Sequence, residues 1–325
     1  MEWNPNPVET KIGINFKNSD ILYLALSHRS YAQHINEPEA NNERLEFLGT
    51  AILDMVVTDY LYHHCPYLEI SNLKALRSKL MEGERLTQLW YQLGLGEAYP
   101  FLGLTEERHR LRQQSHNPFG AGLVALAGAI YLDRSFSQVQ TWLTKHLIAP
   151  VLERHLKDIK ERSSPDKQIK FLGDSLIKAI AASYLYCHLP CVSAERLKEL
   201  HKELISKNRQ VGYTSKLNSG DLTALNLGSI GDLGKSFEVL LAMVYLEHST
   251  LEEKRAFKNT STWFEERFLD GDEILRQAIA LLLKDGKSQK WIVRHVMGYE
   301  SKDYHAGRDH FNAVLEGEKA IPSGN

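Results

Sequence analysis

No apolar run in the sequence approaches the ~20 residues a membrane-spanning helix needs, so a helical membrane protein is excluded. The opening residues, MEWNPNPVETK, lack the basic-then-apolar order of a secretory leader. Cysteine is scarce. Cys65, Cys187 and Cys191 are odd in number, lack metal-like spacing to the histidines, and read as reduced thiols of a cytoplasm-like compartment. No Gly-rich phosphate loop and no nucleophile–base arrangement stands out. Positive charge is not in excess either. Lys and Arg number 39 against 41 Asp and Glu, and the balance holds locally, with 16 against 18 over residues 1–160 and 15 against 15 over 161–271. A dedicated nucleic-acid binder carries a surplus of Lys and Arg, so any such contact here must use local patches. Strand-like alternation is missing as well, and the fold class expected is all-α.

What the chain does have is a repeat. Residues 46–66 read EFLGTAILDMVVTDYLYHHCP and residues 170–190 read KFLGDSLIKAIAASYLYCHLP, an offset of 124. It matches Phe47 with Phe171, Gly49 with Gly173, Tyr60 with Tyr184 and His64 with His188. A second pair, GAGLVALAGAIYLD at 120–133 and GKSFEVLLAMVYLE at 234–247, repeats at an offset of 114. Two helices recurring in the same order indicate a duplicated domain.

Residues 10–31 predict a turn and one helix, with Asn18, Ser19 and Asp20 as N-cap candidates. Helices follow at 43–64, where Leu45, Leu48, Ile52, Val56 and Leu61 mark the buried side, then at 71–82, 84–94, 119–133 and 136–161. Ser163–Asp166 has the composition of a boundary. A second set follows at 167–188, 193–207, 208–217, 235–248 and 251–268. Residues 272–316 differ from both copies and predict three short helices, whose core would be Ile279, Leu282, Leu283, Trp291, Ile292, Val293, Val296, Phe311, Val314 and Leu315. The domains expected are therefore 1–162, 163–271 and 272–316, with 317–325 a disordered tail.

SHRS at 27–30 followed by NERLEFLG at 42–49 resembles the ribonuclease III nuclease domain, whose distal helix has the form DxxEALIGAxYLD. The likeness covers about residues 10–155 and, abbreviated, 166–250. It implies an all-α nuclease fold that acts as a dimer on double-stranded RNA with Mg²⁺. In that motif two carboxylates at i, i+4 on one helix face two at i, i+3 on the other, an anionic cage for hard cations. Here the corresponding residues are Glu46, Thr50, Ala121 and Val124 in the first copy, and Lys170, Asp174, Lys235 and Glu238 in the second. Three acids are missing from one set and two from the other, each of those two replaced by lysine. Glu43, Glu46, Asp174 and Glu238 are remnants. Lys170 is expected to pair with Asp174, and Lys235 with Glu238, so that fixed ammonium groups stand in for metal charge. No metal and no other cofactor is expected; Mg²⁺ belongs only to the alternative reading.

Basic clusters are the candidate RNA contacts: Arg108, Arg110 and Arg112 before the second core helix, Lys198, Lys202, Lys207 and Arg209 in the second copy, and Lys287, Lys290 and Arg294 on the C-terminal module. Each is also readable as a solvated face. The module resembles a helix-turn-helix unit, with protein docking as the alternative. The reading is a cytoplasmic pseudo-nuclease whose two copies pair as an internal pseudo-dimer, monomeric overall, binding structured or double-stranded RNA or a ribonucleoprotein. The rivals are an active Mg²⁺-dependent endoribonuclease and a protein scaffold without an RNA role.

Overall fold

The computed structural model describes residues 3–96, 98–103, 118–155, 165–217 and 237–317. Every regular element among them is a helix, and an isolated bridge joins Ser27 to Phe101. The all-α expectation holds. None of these helices is long and apolar enough to cross a membrane. The chain divides into two compact units, Met1–Ala179 with Ser219–Thr260, and Ile180–Asn218 with Ser261–Asn325. The units cut across the boundaries of the sequence repeat. The expected boundary at 163–166 falls partly outside the described residues, as does the tail from 318.

The first unit is built on α4 (Glu43–His64) packed against α7 (Pro118–Asp133). Leu45, Leu48, Ile52, Val56 and Leu61 are all fully buried, as the spacing predicts. Each such side chain contributes roughly 1.5–3 kcal/mol on leaving water. Helix α7 is buried almost all round, from Phe119 to Ile130, which is why it carries no polar stripe. Glycine sets the closeness of this pair. A Cβ on Gly49 would lie 1.9 Å from the Val124 carbonyl oxygen, and one on Gly128 would lie 2.6 Å from that of Leu45. Around this pair run α1 (Asn6–Ile12), α2 (Ser19–Ala25), α3 (Arg29–His34), α5 (Ile70–Leu80), α6 (Gly83–Gln92), α8 (Phe136–Leu143) and α9 (Ala149–His155).

Three expectations need correcting here. Helix α1 was not anticipated; it closes on Gly13, whose φ of +70° suits glycine. The single helix expected over 10–31 is two, α2 and α3. The Leu26 carbonyl accepts from the Phe101 amide (2.6 Å) and the His28 amide donates to the Phe101 carbonyl (3.1 Å), which holds the chain extended between them. The helix expected over 136–161 is α8 and α9 joined by a π turn at Thr144–Ile148.

Helix α10 runs Pro165–His188, α13 Phe237–Glu252 and α14 Ala256–Phe268. The second unit contains α11 (Ala194–Leu204), α12 (Lys207–Ser215), α15 (Gly271–Lys284), α16 (Gln289–His295) and α17 (Tyr304–Glu316). Ser193, Ser206, Asp270 and Ser288 cap the first four. The three C-terminal helices form as predicted and bury Ile279, Leu282, Ile292, Val293, Val296, Phe311 and Val314. Leu283 and Leu315 do not join that core, being 41% and 38% exposed, and Trp291 is only partly buried. Helix α11 packs on α15, and Arg196 binds Asp285 while Arg209 binds Glu273. Residues 194–215 therefore belong to the same unit as 272–316.

The helices keep the periodicity of the sequence. Helices α4 and α10 end at His64 and His188, α5 and α11 span 70–80 and 194–204, and α6 and α12 start at 83 and 207, each pair 124 residues apart. In both of the long helices the last histidine stacks on a tyrosine one turn back, at 3.9 Å for Tyr60–His64 and 4.0 Å for Tyr184–His188.

Candidate functional site

The two sequence motifs at the head of the chain hold each other. Asn42 donates its amide to the Ser27 carbonyl (2.8 Å) and its side-chain amide to the Ala25 carbonyl (3.2 Å). Ser27, fully buried, donates to the Tyr23 carbonyl. The Ser30 hydroxyl meets His28 Nδ1 (2.9 Å) and accepts from the Gly103 amide (3.0 Å). Asp133, at the far end of α7, accepts from the backbone amides of Lys17 (2.9 Å) and Asn18 (2.8 Å). These polar residues place α4 and α7; they are tied to backbone, which leaves little of them for a substrate.

Along the α4–α7 crossing, the four positions of the first copy present little charge. Glu46 is half-buried, and Thr50 turns its hydroxyl back to the Glu46 carbonyl (2.8 Å). Val124 is buried with its carbonyl beneath Gly49, and Ala121 offers a methyl group. Glu43 points away to Arg29 (3.2 Å).

The second stretch of the sequence repeat shows the same close helix approach with different side chains. A Cβ on Gly173 would lie 1.7 Å from the Glu238 carbonyl oxygen, so α10 and α13 touch as α4 and α7 do at Gly49 and Val124. This close approach carries Lys170 Nζ to Glu238 Oε2 across the helices, at 3.3 Å. Asp174 instead pairs with Lys178, one turn further along α10, at 2.6 Å. The expected pairing of Lys170 with Asp174 is thereby corrected. Glu238 has 10% of its side chain exposed and Asp174 41%, so the buried acid claims the cation within reach from the facing helix. Lys235 lies outside the described residues. Among the described residues, no group of three or more His, Cys, Asp or Glu side chains could hold a metal ion.

Residues 18–151 match a family model described as Ribonuclease-III-like. The chain is 39% identical over 167 residues to Ribonuclease 3 of Azotobacter vinelandii, covering 50% of this chain and 69% of that protein. The chain belongs to the ribonuclease III family. It is 40% identical over 160 residues to Ribonuclease 3 of Pseudomonas putida strain W619 (48% of this chain, 66% of that one). Over 127 residues it is 36% identical to Ribonuclease 3 of Borreliella burgdorferi (39% and 51%). Among solved structures it resembles the nuclease domain of ribonuclease III from Campylobacter jejuni, at 31% identity and a TM-score of 0.40, covering 45% of this chain and 97% of that one. The chain thus spans about half to two thirds of the length of these curated ribonuclease III relatives.

The remaining candidate residues are scattered along the chain, most of them beyond the residues 18–151 that the family model matches. Arg108, Arg110 and Arg112 lie outside the described residues. Lys198, Lys202 and Lys207 are exposed on α11 and α12. Arg209 is not available to RNA in the same way, because Glu273 grips it with two oxygens and Glu203 lies 3.4 Å away. Lys290 and Arg294 are exposed on α16, whereas Lys287 precedes the helix and rests over the Trp291 ring at 4.3 Å. Sequence reasoning missed Lys178, although its i+4 spacing from Asp174 was legible. It also missed Arg77, which no local spacing announces. Arg77 reaches Asp54 (3.4 Å) and the Ser175 hydroxyl (2.9 Å) and lies over the Phe171 ring at 4.7 Å. Ser175 also bonds Thr58 at 2.9 Å, and Gln168 donates to the carbonyls of Pro66 and Leu68.

Proposed function

We propose that this protein is a catalytically silent member of the ribonuclease III family that binds structured RNA, alone or in a ribonucleoprotein, without cleaving it. The observation that carries the reading is the Lys170–Glu238 pair. Where the family motif has an acid, this chain has an ammonium group already bound to the facing carboxylate, and a cation beside it would be repelled. The first copy supplies Glu46 with a threonine, an alanine and a valine, a donor set unsuited to a hard cation that takes oxygen ligands and keeps its waters. Neither set fits the Mg²⁺ that the family uses, and no hydrolytic step is derived through it.

A second element of the proposal is that the chain is a tandem duplication whose copies pair in cis. It is supported by the 124-residue register of the helices and by the matched Gly49–Val124 and Gly173–Glu238 approaches. The contacts of Arg77 and Thr58 with Ser175 of α10, and of Gln168 of α10 with the Pro66 carbonyl, tie residues of one copy to the other. A pair completed in cis leaves the protein monomeric, and light scattering checks the mass.

The identities of 36–40% to proteins named ribonucleases favour the rival reading of an active nuclease. Incubation of long double-stranded RNA with the protein and Mg²⁺ or Mn²⁺ decides between them. The RNA should be retained on a filter and recovered intact. Cleavage above background that disappears in Asp174→Ala refutes the silent reading, and failure to retain any RNA refutes the binding one.

A further inference from the structure

In the second unit, the chain leaving α16 turns at Gly298 (φ +76°) and runs through a short 3₁₀ turn, Ser301–Asp303, into α17. Between α16 and this return lies an open cleft of about 620 Å³, lined by Arg294, His295, Tyr299, Glu300, Ser301 and Lys302. Its wall is firmly built. The Tyr299 amide donates to the Val293 carbonyl (3.1 Å), its hydroxyl meets His310 Nδ1 (2.9 Å), and its ring packs on Gly307, where a Cβ would lie 2.6 Å from Cγ.

The charge in and beside this cleft is one-sided. Glu300 is bridged to Lys302 at 3.1 Å, and Asp285, at the end of α15, is held by Arg196. Arg294 and Lys290 are exposed and have no acidic partner among the described residues. Lys287, just before α16, forms a column with Trp291 and His295 of that helix, with Lys287 4.3 Å from the Trp291 ring and His295 4.9 Å beyond. A row of cations interleaved with aromatic rings, opening into a polar cleft with a guanidinium at its mouth, has the chemistry of a phosphodiester site. An apolar ligand would gain little here, and a free carboxylate would not use the length of the ridge.

We propose that the Arg294–Lys302 cleft binds a backbone phosphate of RNA, with Lys290 on the adjoining ridge meeting a neighbouring phosphate. This site rests on the RNA-binding reading above and gives it an address away from the degenerate nuclease positions. Arg294 supplies the planar pair of donors, and the Ser301 hydroxyl and Lys302 ammonium complete the cradle once Lys302 leaves Glu300.

The test uses the full chain and two labelled probes, a duplex RNA and a single-stranded RNA of the same length, in anisotropy titrations across a salt series. The double variant Arg294→Ala/Lys302→Ala should lose roughly tenfold in affinity and flatten the slope of log affinity against log salt by about 0.7 to 0.9 unit, the range for the one phosphate held in the cleft. Arg255→Ala, an exposed arginine of the first unit, should leave both unchanged. Glu300→Gln, which frees Lys302, should tighten binding. The arm with the larger loss identifies the strandedness of the ligand. If the wild type binds RNA while the double variant keeps its affinity and slope and Glu300→Gln has no effect, the cleft is not the site, although RNA binding stands. If the wild type binds neither probe, both the cleft and the RNA reading fall.

Discussion

Replacing Lys170 with methionine isolates the feature on which the functional reading turns. Methionine keeps the length and apolar body of the side chain and removes its charge. Glu238, with 10% of its side chain exposed, would lose the ammonium 3.3 Å away, while Lys170 itself is 54% exposed. Removing one partner of a fully buried pair costs about 3–5 kcal/mol, and exposed pairs contribute about 0.2–1 kcal/mol. Solvent reaches this pair from the lysine side only, which places the loss at about 1–2 kcal/mol. For a unit of this size that is a fall in melting temperature of roughly 2–8 °C, read by circular dichroism on the full chain. Glu238→Gln in the Lys170→Met background should recover most of it, because a neutral amide needs no counter-ion. Lys178→Met removes the partner of the more exposed Asp174 and should cost less than about 0.5 kcal/mol, the range of an i,i+4 pair. Equal losses in Lys170→Met and Lys178→Met, or no rescue by Glu238→Gln, would refute the claim that a fixed cation neutralises this position.

Further outcomes follow from the same geometry. Gly49→Ala and Gly173→Ala each set a methyl group under 2 Å from a backbone oxygen of the facing helix; both should lose at least the ~1–3 kcal/mol of ordinary overpacking in chemical denaturation, and wild-type stability in either would contradict the close approach. Arg77→Met should destabilise by about 2–4 kcal/mol, because Asp54 keeps a buried oxygen without a partner and loses its cation; a loss below ~0.5 kcal/mol would mean this network does not hold α5 to α10. His63 has its pKa raised by the Asp59 carboxylate 3.4 Å from its ring, with burial opposing and Glu253 adding to the effect. A raised folded-state value means that its stabilisation is complete below about pH 6.5, the unfolded value, and is lost as pH rises through the folded one. The stability difference between wild type and His63→Gln should accordingly be larger at pH 6 than at pH 8, and a difference that grows with pH would reverse the assignment.

The family and the helical architecture were legible in the residues. The stripe of Leu45, Leu48, Ile52, Val56 and Leu61 follows helical spacing, and a stripe must face a core whatever the partner. The same holds for the three C-terminal helices, whose caps and apolar spacings are local signals. Leu283 and Leu315 escaped the prediction because an apolar residue at the edge of a stripe is buried only if a neighbour covers it. The break between α2 and α3 escaped because its cause, hydrogen bonds to Phe101, lies some 70 residues further along the chain.

At the degenerate site the sequence by itself determined which acids are missing, since composition at a motif position needs no coordinates. Tertiary structure alone decided who pairs with whom. Spacing along one helix offered Lys170 to Asp174, but Gly173 lets α13 approach α10 closely enough that Glu238 takes that lysine. Burial then ranks the claims. A carboxylate cut off from water needs a counter-ion more than one that water still reaches, and burial depends on a facing helix about 65 residues away. The grouping of residues 194–215 with 272–316 and the cleft beside Arg294 have the same origin. They depend on which surfaces meet, and that is a property of the folded chain.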